Sequence, residues 1–176
     1  DEFEEPVPDD VTAHELSFVK QIKSLQAQGG HDTAEDVTGA LSRIVKNSQW
    51  KSSARFIILV TDAPCHGRQA HSSTTPVRDD QPNRDAKTEL HDVMKLVVDK
   101  KLCLLHCQVD PTKTETMHNI MRSGICDILG AGAFGDDGDG SRYLDEIKLG
   151  QMGEAQDATF STGNHIVFIL DESGSM

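Results

Sequence analysis

Positive charge is scarce in this sequence and nowhere clustered: 17 Lys and Arg stand against 29 Asp and Glu, a formal charge of −12 over 176 residues. A nucleic-acid backbone or an anionic membrane surface is therefore not an expected partner, since both reward a basic face. Long hydrophobic runs are missing as well. The longest, Phe56–Val60 among them, fall far short of the roughly 20 residues that cross a bilayer, so no membrane insertion is expected. The first ten residues carry six carboxylates and no apolar stretch, which is not the make-up of a secretory signal. Four cysteines are too few for a disulfide scaffold in a chain of this size and lean towards a reducing, cytoplasmic setting. Catalytic signatures are absent too. There is no G-x-S-x-G nucleophile elbow and no G-x-x-x-x-G-K-[ST] phosphate loop. Asp62 lacks the D-x-D partner of a phosphotransfer aspartate. No enzyme activity is expected of this chain.

What is present reads as α/β. Taken alone, the length suits one domain with a real core, at roughly 150 residues per domain. Residues 1–9 form an acidic tail with two prolines. From Asp10 a helical pattern (Leu16, Val19, Ile22, Leu25) runs to the Gly29-Gly30 stop. A second helix is expected to start near Asp32 or Thr33, with Asp36 in capping-box position and Val37, Leu41, Ile44 and Val45 as its apolar stripe. Arg55–Val60 is continuously apolar after its first residue, the mark of a strand covered on both faces in a parallel sheet. A polar loop over 61–85 holds Pro64, Pro76 and Pro82. A helix is then expected from about Asp85 to Lys100, a strand at Leu102–Val109, a helix at Thr112–Arg122 and a short strand at Cys126–Leu129. Residues 130–164 carry eight of the 14 glycines and read as a linker around a short helix near Tyr143–Met152. His165–Leu170 is one more buried strand. This alternation predicts a doubly wound, mostly parallel sheet flanked by helices.

In an open α/β sheet, ligands bind beyond the carboxyl ends of the strands. Three such places end in small oxygen-bearing residues: Asp171-x-Ser173-x-Ser175 after the last strand, Thr33 at a helix start, and Asp62 after Phe56–Val60. Two carboxylates and three hydroxyls suit a hard divalent cation, Mg²⁺ or Mn²⁺. Simpler roles compete at each position. Thr33 could be a helix cap, Asp62 could open a turn with Pro64, and the last segment could be a bare turn. Asp32 could add a second carboxylate, although an exposed cap is the plainer role. Zinc comes to mind for Cys65, His66 and His71, together with Cys103, His106 and Cys107. Strand alternation puts His106 on the face opposite Cys103 and Cys107, tetrahedral spacing is not met, and buried unpaired cysteine is the expected state. Aligning Gly140 with an EF-hand turn glycine would put Asp137, Asp139 and Glu146 on ligand positions. Gly135 then stands where an Asp belongs, and a solvated acidic linker is expected instead.

The same residues carry a resemblance. DESGS at Asp171–Ser175, GGHDT ending at Thr33 and VTD ending at Asp62 resemble the metal-ion-dependent adhesion site of von Willebrand factor type A domains. The longer strings GGHDTAEDVTGAL, FIILVTDAPCHG, RDDQPN and ELHDVMKLV resemble the type A domains found beside α-kinases. The resemblance implies a Mg²⁺ or Mn²⁺ site built from Asp171, Ser173, Ser175, Thr33 and Asp62, engaging an acidic side chain of a protein partner. The alternative it implies is a targeting segment for an α-kinase whose catalytic domain lies outside this chain. The order of the elements departs from the family, where DxSxS comes first. That departure reads as a window across two tandem domains: 10–129 as a domain lacking its first strand and helix, 130–164 as linker, and 165–176 as the first strand and loop of a second domain. Strand 165–170 could instead complete the first domain, assembling all five residues into one hybrid site.

Overall fold

The computed structural model describes residues 32–51 and 53–148, the backbone of 165–170, and Lys20, which is helical. The helix expected between Asp10 and Gly29 otherwise lies outside the described residues, as does the tail at 1–9. Four parallel strands form one open sheet: β1 (Arg55–Thr61), β2 (Cys103–Gln108), β3 (Leu144–Lys148) and β4 (His165–Leu170), in the order β3-β2-β1-β4. Three helices accompany them: α1 (Val37–Asn47), α2 (Ala86–Asp99) and α3 (Pro111–Leu129). The expected α/β class, an open parallel sheet flanked by helices, is what the described residues form.

The apolar periodicity explains which faces meet. Leu41 and Val45 of α1, Leu90, Met94 and Val97 of α2, and Met117, Met121 and Ile125 of α3 bury together with Ile57, Leu59 and Leu104 of the sheet. On the alternate positions of β1 and β2, Phe56, Val60, Cys103 and Leu105 are only half-buried. Each helix opens on an aspartate that accepts a backbone N–H of its first turn, which satisfies one otherwise unpaired donor. Asp36 accepts from Gly39 at 3.3 Å, Asp85 from Thr88 at 3.3 Å, and Asp110 from Thr112 at 3.1 Å.

Three expectations change. First, α1 starts at Val37 with Asp36 as its cap, so Thr33 is not a helix cap. Residues 33–35 are drawn instead into a parallel bridge, Glu35 opposite Cys65, with Glu35 N–H donating to the Pro64 carbonyl and His66 N–H to the Glu35 carbonyl, both at 3.0 Å. Second, the strand expected at Cys126–Leu129 is the last turn of α3, which ends at Gly130 with φ +104°. A Cβ on Gly124 would stand only 3.5 Å from His91 Cα and Met94 Cβ, so this glycine marks a close crossing of α2 and α3. Gly124→Ala is expected to fit that spacing and to gain up to about 1 kcal/mol of helix propensity. Gly124→Leu is expected to lose about 1–3 kcal/mol by overpacking. Urea denaturation of the two variants checks the pair.

Third, the short helix expected near Tyr143–Met152 is strand β3. It pairs parallel with β2, Leu104 opposite Leu144. Its charged residues, Asp145, Glu146 and Lys148, suit the outer strand of the described sheet, where charge discourages pairing with another chain. Ahead of β3, the glycine-rich stretch forms turns tied by Gly140 N–H to the Ala133 carbonyl at 2.6 Å. Gly138 and Gly140 allow this: a Cβ on either would collide with the Ala133 backbone.

Candidate metal centre

The long β1–α2 loop turns back over the carboxyl edge of β1 and clasps residues 32–36. The Arg78 carbonyl accepts from the N–H groups of Thr33 (3.0 Å) and Ala34 (3.1 Å), and Arg68 N–H donates to the Pro82 carbonyl at 3.2 Å. Asp79, whose side chain is 3% exposed, is the hub of that loop. One carboxylate oxygen accepts from Gln81 N–H at 2.8 Å and pairs with His66 Nδ1 at 2.9 Å. The other accepts from Gly67 N–H at 2.9 Å and lies 3.3 Å from His71 Nε2. Gly67 has φ +99°, and a Cβ there would meet the Arg84 carbonyl, so only glycine brings its N–H to Asp79 without strain. Burial pushes the Asp79 carboxyl up, but the hydrogen bonds from His66, Gly67 and Gln81 outweigh it and hold it below the usual range.

Asp32 approaches the same imidazole from the other segment. Its carboxylate accepts from Asp80 N–H at 2.7 Å and stands 3.7 Å from His66 Nδ1. Asp32, His66 and Asp79 thus bring three ligand atoms within 4.8 Å of one another, a group that could hold a metal ion. Among the described residues no cysteine joins such a group, and neither do Asp137, Asp139 and Glu146. The four cysteines are unpaired, and burial pushes the Cys65 thiol up to about 12, far from a thiolate at neutral pH.

Of the five residues expected to hold a cation, two are described. Asp62 directly follows β1 and Thr33 lies two residues before the Glu35 bridge, so both stand on the carboxyl edge of the sheet. The negative charge there is felt by Glu35. Burial raises its carboxyl pKa, Asp32 and Asp62 raise it further, and His66 opposes them. Asp171, Ser173 and Ser175 lie outside the described residues. Asp79 was not singled out by sequence reasoning. The signal for it was a pair of acids, Asp79-Asp80, midway through a proline-bearing loop that must return to the strand edge.

A second polar assembly sits under the same edge. His106 on β2, fully buried, places Nε2 at 2.9 Å from Thr61 Oγ1 and Nδ1 at 3.2 Å from Nδ1 of His118 on α3, with the rings stacked. His118 Nε2 lies 3.6 Å from Glu146 of β3, which in turn accepts from Gln108 Nε2 at 2.8 Å.

No protein-family model matches the chain, and no solved structure matches it. Over 69 residues, 39% of this chain, it is 36% identical to the alpha-protein kinase vwkA of Dictyostelium discoideum. The match spans about a tenth (11%) of that relative's length.

Proposed function

We propose that this chain is a non-catalytic, cation-dependent protein-binding module of the von Willebrand type A kind. Mg²⁺, or Mn²⁺ in its place, would be held by Asp171, Ser173 and Ser175 with Thr33 and Asp62, and an acidic side chain of a protein partner would complete the coordination. The observation that carries this reading is the pairing of β4 with β1, Leu170 opposite Val60. Strand β4 thus ends at Leu170, beside Val60, on the carboxyl edge where Asp62 follows β1, and in an open α/β sheet that edge is where ligands bind. The donors fit a hard cation: all are oxygens, and the hydroxyls leave the ion enough charge to attract a further carboxylate. A formal charge of −12 repels an acidic partner at long range, so the ion supplies the local attraction. Four unpaired cysteines suit a cytoplasmic setting. Among the described residues no helix is long and apolar enough to cross a membrane.

Thermal unfolding with Mg²⁺ or Mn²⁺ against chelator tests the reading. At about 100 times Kd, the ion adds about 2.7 kcal/mol, a rise of several degrees for a chain of this size. Asp62→Ala and Asp171→Ala are each expected to abolish the rise. No rise in the unaltered chain would sink the proposal, and sensitivity to Asp62 alone would sink the shared five-residue site. The similarity to an alpha-protein kinase supports a second reading, that the module targets an α-kinase catalytic domain encoded beside it. Sequencing the flanking coding region decides between a linked kinase domain and none.

A further inference from the structure

We infer that Asp32, His66 and Asp79 form a separate site for a borderline transition metal, Zn²⁺ by preference, in the clasp between residues 32–36 and the β1–α2 loop. The donor set is two carboxylate oxygens and one imidazole nitrogen. Imidazole selects against Mg²⁺ and Ca²⁺, which prefer oxygen and, for Mg²⁺, retained water. The spacing also fits: two ligands of one tetrahedral Zn²⁺ at about 2.0–2.1 Å stand about 3.3 Å apart. His66 Nδ1 lies 2.9 Å from Asp79 and 3.7 Å from Asp32, on either side of that value.

The protons point the same way. Two carboxylates face one Nδ1, which carries at most one hydrogen. That hydrogen serves Asp79, and at 3.7 Å Asp32 is beyond hydrogen-bond reach of it. Replacing the Nδ1 proton by a cation would satisfy both carboxylates at once. The His66 and Asp79 side chains are 8% and 3% exposed, so the ligands are shielded from competing water. Gly67 N–H, Gln81 N–H and His71 already orient Asp79, and Asp80 N–H orients Asp32, which is the outer support that metal ligands require. Beside Asp79 opens a cavity of about 380 Å³, lined by Arg68, His71, Ser72 and Pro82 among others, where water or an anionic ligand could take the remaining coordination position. The site uses none of the five residues of the proposed Mg²⁺ site.

Equilibrium dialysis of the chain against Zn²⁺ in excess Mg²⁺ tests the inference, with retained metal counted per chain. One Zn²⁺ per chain is expected, and binding should weaken as pH falls, because protons compete with the metal for its ligand atoms. Asp32→Asn keeps an oxygen for Asp80 N–H but loses the charge, and it should weaken Zn²⁺ at least tenfold. His66→Gln should do the same. Circular dichroism of metal-free protein shows that each variant is folded, with Asp32→Asn deciding if His66→Gln is not. Asp62→Ala should leave the Zn²⁺ count unchanged. No retained Zn²⁺, displacement by Mg²⁺, or undiminished binding by Asp32→Asn would overturn the site.

Discussion

Asp79→Ala is expected to destabilise the metal-free protein by about 3–5 kcal/mol, because it takes the acceptor from several buried donors at once. The cause is what the substitution leaves behind. Gly67 N–H and Gln81 N–H lose their acceptor, and His66 loses its hydrogen-bond partner, all in the core of the clasp. Unsatisfied buried donors cost about 1–3 kcal/mol each when water cannot reach them. The damage should also be local in a recognisable way. The β1–α2 loop holds residues 32–36 through the Arg78 carbonyl and the bond from Asp80 N–H to Asp32, so both segments should loosen together. Hydrogen exchange at Thr33, Ala34 and Gly67 should rise well before exchange in β1. Asp79→Asn keeps one acceptor oxygen and the side-chain volume, and about half the loss is expected. Urea denaturation in chelator measures both variants. A loss below about 1 kcal/mol for Asp79→Ala would mean that the loop is held by its other contacts and that Asp79 is not its hub.

Legibility in the sequence followed the strength of the local signal. Strand β1 and helix α2 were readable because Phe56–Val60 is continuously apolar and because Asp85 announces a helix whose buried positions fall at three- and four-residue steps. Helix α3 runs past its expected end at Arg122 and through Gly124, a poor helix former whose reason lies in another helix, α2, with the backbone of His91 within reach of where a side chain would be. Strand β3 is hard to tell from the expected helix because its charged residues suit an outer strand as well as a helix, and only the pairing with β2 separates the two. The site divided in the same way. Asp62 and Thr33 sit beside strand and helix signals and could be proposed as ligands. Asp79 could not, because its partners come from positions 66, 67, 71 and 81, which nothing in a linear pattern brings together. His66 was set aside when compared with the cysteines nearby. Its partners are aspartates 34 residues upstream and 13 downstream in the chain.

Acid is expected to unfold this protein earlier than its carboxylates alone would dictate, beginning below pH 6.5. His106 is fully buried, and burial, with a smaller contribution from His118, depresses its pKa from 6.5 to about 3. His118 is lowered by burial as well, and by Arg122 and Lys148, against the opposing pull of Glu146 and Asp145. The geometry gives the reason in terms of protons. The two Nδ1 atoms face each other at 3.2 Å, so the hydrogen bond between them requires one to be bare, and two imidazolium rings would set N–H against N–H. A histidine whose folded pKa is depressed binds fewer protons folded than unfolded. Its contribution is therefore fully present above the unfolded pKa of about 6.5 and is lost as pH falls from there towards the folded value. For His106 alone this amounts to about 2 kcal/mol between pH 7.5 and 5, and on the order of 1.4 kcal/mol for each further pH unit. Urea denaturation across that range measures it. His106→Gln, which keeps a polar group for Thr61 Oγ1 but does not titrate, should be less stable at pH 7.5 and should show a slope flatter by about that 2 kcal/mol. An unchanged slope in His106→Gln would place the acid sensitivity in other groups and would mean that His106 is charged more readily than its burial implies.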